Sequence, residues 1–338
     1  MIKNYVSIDL GTENLVIYSS NRGIVFNEPS VMAYDIKKKS LVALGNDAYS
    51  LIGKEHKNIR LVRPISDGVI SDLKATQELL KAIFEKIKLF KIWKNAIVLL
   101  AAPSSVTELE HNSLKEMASK LGAKSVFIEE EIKMAAVGAG INISNPEGNL
   151  VVDIGGGTTD CAVLSSGDIA VSSSIKVAGR HMTTEIQKYL RARHNIIIGE
   201  KTGETLKRTL GTLHKDASEV YLEVYGRGMV DGMPKQIRVN NSEIREILLP
   251  FFNNIADLIA EVLEKTDPEL VGDIFRNGIY FCGGGALIPG IEKHFKALFT
   301  IPVNIANNPL LCVIEGTKSW ENSIREEIEF QGRNRRFG

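Results

Sequence analysis

Two periodicities alternate along the chain. Short Val- and Ile-rich runs bounded by Gly or polar residues predict strands at Tyr5 to Asp9, Leu15 to Ser19, Ala96 to Ala101, Leu150 to Asp153, Cys161 to Ser165 and Gly278 to Cys282. Between them, apolar residues recur at three- and four-residue steps over Leu73 to Phe90, Glu108 to Leu121, His181 to Ala192, Asn241 to Leu263 and Gly290 to Phe299, which predicts helices. The alternation places the chain in the α/β class. One internal echo organises the pattern: YVSIDLGTENLVIYSS around Asp9 returns 144 residues later, around Asp153, as LVVDIGGGTTDCAVLSS. Each copy reads strand, aspartate, Gly-rich turn, strand, so two like domains are expected to face each other across a pseudo-twofold. No Pro/Gly/Ser-rich linker interrupts the sequence, so short packed crossings should join the domains and leave a cleft between them.

Composition narrows the function classes. With 338 residues, 44% hydrophobic and 24% charged, the chain is a globular protein of about two domains and not a disordered tail. The 41 basic and 41 acidic residues cancel, so no global field favours nucleic acid, and no nucleic-acid partner is expected. Cys161, Cys282 and Cys312 are isolated and odd in number, which fits a reducing cytoplasm and opposes a disulfide framework. Neither a signal peptide nor an apolar run of spanning length is legible, so the expectation is a cytoplasmic chain.

The chemistry concentrates in the turns. In IDLGTEN, the residues Gly11, Thr12, Glu13 and Asn14 join two apolar strands; alone, this reads as well as a plain hairpin. Its partner DIGGGTTD carries Gly155, Gly156 and Gly157 followed by the hydroxyls of Thr158 and Thr159. Three consecutive glycines cost conformational entropy, which is offset where the backbone itself is a binding surface. Two such turns, each led by an aspartate, form opposed phosphate clamps. A bound nucleotide would be repelled by Asp9 and Asp153 unless a divalent cation lay between them, and magnesium, which keeps several waters, suits that role. A third cluster, Gly283, Gly284, Gly285, Ala286 and Leu287, follows a strand and suits close approach to a base or ribose; a turn packed on its own sheet explains it about as well. Glu204 and Lys207 share a helix face and either reach a nucleoside or form a solvated ion pair.

Taken together, IDLGT, GIVFNEPSV, RPISDGVISD, DIGGGTTD and CGGGALIPG, in this order, resemble the MreB family of bacterial actin homologues from about Tyr5 to about Pro309. The resemblance implies the actin-like ATPase fold: two duplicated RNase H-like domains around a nucleotide cleft, each with a smaller subdomain. Domain I would take residues 1–145 with 309–338 and a subdomain near 33–74; domain II would take 146–308 with a subdomain near 180–241. It also implies ATP and ADP as ligands with Mg2+, and homopolymer filaments, commonly antiparallel pairs, at the inner face of the cell membrane. Other filament or shape-determining proteins are expected as partners. Gly11, Thr12 and Asn14 fall on the first phosphate loop, Gly155 to Thr158 on the second, and Glu204, Lys207 and Gly283 to Leu287 on the nucleoside pocket. In VFIEEEIKMAAVGAG the family's hydrolytic glutamate falls on Glu131, which would orient water with help from Thr158 for in-line attack on the γ-phosphate.

Departures from the family pattern imply a weak ATPase. Leu15 would remove a phosphate-facing hydroxyl, Glu13 would add negative charge, Ile132 and Lys133 replace proline and methionine, and IEGTK replaces an AKGAG-like stretch. The segment KIKLFKIWKN interleaves lysines, including Lys91 and Lys94, with Leu89, Phe90, Ile92 and Trp93. It is the membrane candidate: apolar insertion with lysine attraction to anionic lipid, multiplied along a filament. The alternative is an amphipathic helix end whose aromatics pack inside. Arg333, Arg335 and Arg336 in the tail would join that contact or remain solvated. Two other functions stay open: a nucleotide-binding scaffold without useful turnover, and a monomeric ATPase or kinase of the same superfamily.

Overall fold

The run YVSIDL is buried at every position but Asp9, which is intermediate, because its strand is covered on both faces. In the computed structural model, which describes residues 4–94, 96–103 and 106–334, Tyr5–Leu10 pairs antiparallel with Asn14–Ser19 and parallel with Ile97–Ala102. Gly23–Pro29 and Ser125–Glu130 complete a five-stranded sheet on either side. Asn149–Ile154 does the same in the second half: it pairs antiparallel with Thr159–Ser165 and parallel with Ile279–Cys282, and Asp168–Ile175 and Val303–Ile305 form the edges. The two sheets share one connectivity. A shift of 144 residues turns the pairing Leu10 opposite Leu15 into Ile154 opposite Thr159, so the echo in sequence is an echo in hydrogen-bond register.

Each half also carries a three-stranded sheet: Met32–Asp35, Ser40–Leu44 and Ile59–Val62 in the first, and Ile196–Ile197, Tyr221–Gly228 and Pro234–Asn240 in the second. The predicted helices are present with shifted ends. The helix begun at Leu73 stops at Lys86, because Lys88 turns into the left-handed region at φ 56° before a short turn over Phe90–Trp93. Its start is fixed by Asp72, whose carboxylate accepts the Ala75 N–H at 2.9 Å. The helix Asn241–Glu264 begins with a capping box of Asn240 and Glu243 and buries one stripe from Ile244 to Val262 against the second sheet.

The helix Glu131–Gly138 is wedged between the halves. Met134 packs with Tyr5, Ile97 and Leu99 of the first sheet, while Ile132, Ala135 and Ala136 pack with Val151, Ala162 and Cys282 of the second. It crosses the helix Cys312–Ser319 at two glycines: a Cβ on Gly138 would run into the carbonyl oxygen of Cys312, and one on Gly316 into that of Met134. The glycine kept within IEGTK is thus the one the crossing requires. Thr317 ties this helix to the first sheet, its hydroxyl 2.7 Å from Ser7 Oγ and its carbonyl oxygen accepting from Tyr5 Oη at 2.5 Å.

Candidate functional site

The duplicated strands end side by side, with Asp9 next to Ala101 and Asp153 next to Cys282, and the turns that follow meet in the crevice beyond their carboxyl ends. Gly155, Gly156 and Gly157 are explained by proximity, since none of them is left-handed. A Cβ on Gly156 would strike the Glu13 side chain, and one on Gly157 would come within 2.7 Å of Asp67 Cα. Gly68 in turn donates its N–H to Thr12 Oγ1 at 3.1 Å, and a Cβ there would meet Thr158. The RPISDGVISD segment therefore packs beside both turns, bonded to Thr12 and close against Gly157 and Thr158. Asn14 behaves differently: it is exposed, and its amide donates to Asn27 at 3.0 Å.

Beneath the turns lie Asp9, Glu131, Asp153 and Asp160. Burial, then Asp160 and Asp9, push Asp153 up to about 7; burial raises Asp9 as well. Glu131 is raised well above the carboxylate range by burial and by Asp9, Asp160 and Asp153, and its Oε1 has no hydrogen-bond partner. Thr158 Oγ1 donates to Asp160 Oδ2 at 2.9 Å, which leaves its lone pairs open as acceptors. An all-oxygen set of mutually repelling carboxylates fits a hard divalent cation. Among the described residues no group of three or more such ligands closes on one point, so these carboxylates by themselves form no metal cage, and a cation here would rest on one or two of them and keep much of its water.

The nucleoside candidates divide. Gly283, at φ 77°, and Gly285 are needed for packing, because a Cβ on either would collide with Asp153 or Ile154. Gly284 instead faces Leu310, 3.3 Å from where its Cβ would be, and Leu310 and Leu287 remain 59% and 52% exposed beside Ala286, which is buried. Leu310, absent from the sequence-based set, thus joins Leu287 as an apolar surface. A lone leucine after a proline carries no sequence signal. Glu204 and Lys207 are not a solvated pair: Lys207 Nζ lies 2.6 Å from Glu204 and donates to Gly179 O at 2.9 Å, and Thr183 donates to Glu204 at 2.7 Å.

Four expectations are corrected. Leu15 is fully buried in the first core, so its lack of a hydroxyl leaves no gap at the turns. Glu13 does not face the cleft as a bare charge, because Arg180 pairs with it. Leu89 and Trp93 are fully buried; the Trp93 ring lies 4.5 Å from that of Phe84, so neither offers itself to a membrane. Ile92 is half-buried against the same core, which leaves Lys91 and Lys94 exposed; the Phe90 and Arg333 side chains, Arg335 and Arg336 lie outside the described residues. Lys133 acquires a role in exchange, bridging Glu129 at 3.6 Å and Asp168 at 3.4 Å.

Comparisons with known proteins agree with this architecture. The family model described as MreB/Mbl protein matches residues 3–329. The cell shape-determining protein Mbl of Bacillus cereus is 44% identical over 317 residues, covering 94% of this chain and 95% of that protein. The crystal structure of MreB5 of Spiroplasma citri bound to AMPPNP superposes with a TM-score of 0.95 at 54% identity, covering 98% of this chain and 99% of that one. A MamK double helical filament structure, at 19% identity, matches with a TM-score of 0.76 over 93% of this chain and 97% of that one, a likeness of fold. The duplicated sheets, the paired glycine turns and these matches together make the chain a member of the MreB/Mbl family of cell shape-determining, actin-like proteins.

Proposed function

We propose that the chain binds ATP and ADP between its two glycine turns, hydrolyses ATP slowly, and assembles in its ATP form into paired, antiparallel filaments that maintain or change cell shape at a membrane. The observation that carries this reading is the register-matched pair of hairpins, whose turns stand at one crevice above four carboxylates. The AMPPNP-bound MreB5 structure supports a nucleotide there, and the MamK filament supports self-association.

Backbone N–H groups of Gly11 to Asn14 and of Gly156 to Thr158 would receive the phosphates, the Gly155 N–H being spent within its turn on Thr158 O at 2.9 Å, with the base against Leu287 and Leu310. Magnesium, held through Asp9 and Asp153, would neutralise phosphate charge. Glu131, with an unpartnered Oε1 facing the other carboxylates, would orient the attacking water and, as carboxylate, take its proton. Thr158, already donating to Asp160, accepts the water's other hydrogen and fixes its line of attack. Attraction to an anionic bilayer falls to Lys91 and Lys94, each worth about 1 kcal/mol near such a surface, so attachment requires a filament that repeats them.

Sedimentation with and without magnesium-ATP, in the presence and absence of phosphatidylglycerol vesicles and with phosphate release followed in parallel, tests the reading. Filaments that pellet with ATP and bind vesicles only when assembled are expected. A chain that stays soluble at all nucleotide, salt and protein concentrations overturns polymerisation, and filaments without phosphate release leave a scaffold.

A further inference from the structure

The two phosphate turns are bolted to each other by side chains from opposite halves. Arg180 is the second residue of the helix Gly179–His194, which stands directly behind the second turn: its N–H donates to Gly156 O at 2.9 Å, and that of Gly179 to Gly155 O at 3.1 Å. From this anchorage its guanidinium reaches across to the first turn, where Nε pairs with Glu13 Oε1 and Nη2 donates to Thr12 O at 2.6 Å. Gly156, with no side chain, is what lets Glu13 come so close.

We propose that Glu13 and Arg180 form a latch over the phosphate site that sets the rate of nucleotide exchange. The proposal rests on the nucleotide reading above. Phosphates enter or leave when the turns separate, and separation must break a charge-assisted, two-point guanidinium contact. Farther out, Arg63 pairs with Glu200 at 2.5 Å and Lys201 Nζ donates to Ser50 O at 2.8 Å, so the outer cleft has fastenings of its own, but none of these touches a phosphate turn. The pair also settles the fate of the Glu13 charge. Held by Arg180 it is neutralised; without Arg180 it would confront the phosphates.

The two single variants therefore differ. Glu13→Gln and Arg180→Ala both loosen the latch, but only Arg180→Ala leaves an unpaired carboxylate that repels the nucleotide. Release of a fluorescent ADP analogue, chased with unlabelled ADP below the assembly concentration, is expected to be about three- to tenfold faster in both. Arg180→Ala should also weaken equilibrium binding, most at low salt; Glu13→Gln/Arg180→Ala should recover affinity but keep fast release. The charge exchange Glu13→Arg/Arg180→Glu should restore slow release, which a merely structural role for either residue would not do. Tight binding with release unchanged within about twofold in both single variants overturns the latch and leaves the nucleotide site intact. If the wild-type chain binds no analogue, the nucleotide reading falls and takes the latch with it.

Discussion

Glu131 and Trp93 show how one residue's surroundings set its part. Glu131 begins a helix in the cleft with an oxygen that nothing satisfies, among carboxylates that raise its pKa. A buried polar atom left without a partner is costly, which points to a polar ligand completing the site. Replacing Glu131 with Gln should lower single-turnover phosphate release by about a hundredfold or more while fluorescent-nucleotide affinity changes little; equal release from both proteins would remove Glu131 from the chemistry. Trp93 was readable as a lipid anchor from its lysine neighbours, yet its ring is sealed against Phe84. Trp93→Ala should cost about 3–5 kcal/mol of stability, seen as a lower denaturant midpoint. Vesicle binding per assembled subunit should be unchanged.

At the scale of elements, the crossing of Glu131–Gly138 over Cys312–Ser319 governs how the halves are held. The crossing is close enough to exclude a methyl group at Gly138 and Gly316, since each faces main-chain oxygen rather than a yielding side chain. Gly316→Ala should therefore destabilise the fold by about 3 kcal/mol, and differential scanning fluorimetry should record a clear drop in melting temperature. An unchanged melt would mean that the helices can slide apart at no cost. The same crossing explains why IEGTK serves in place of a more glycine-rich stretch: one glycine meets the backbone, and Thr317 does separate work by bonding Ser7. Lys133 adds a polar fastening at the other end of the helix, joining Glu129 on the first sheet to Asp168 on the second.

The whole molecule encloses uncompensated acid, and its stability should record this in a defined direction. Asp153 titrates at about 7 in the fold and near 3.9 in an unfolded chain. Between those values the unfolded chain releases protons that the folded chain retains, so the nucleotide-free protein should lose stability as pH rises from about 4 to 7. Melting temperature across that window should fall more steeply for wild type than for Asp153→Asn, and parallel slopes would contradict the burial of charge. Much of this molecule was legible in residues 5–19 and 150–165, because hairpin register and turn length are local properties, and a 144-residue repeat of both implies two like sheets. The aspartates and glycine turns were legible for the same reason. Which neighbour each turn would meet was not. Leu15 and Glu13 read as phosphate-facing and Trp93 as a membrane candidate in a one-dimensional pattern, Lys133 read only as a departure from the family's methionine, and Leu310 carried no pattern. Their roles follow from contacts between segments distant in sequence, such as Arg180 on Glu13 and Leu310 on Gly284, and burial and charge pairing of that kind exist only once the chain has folded.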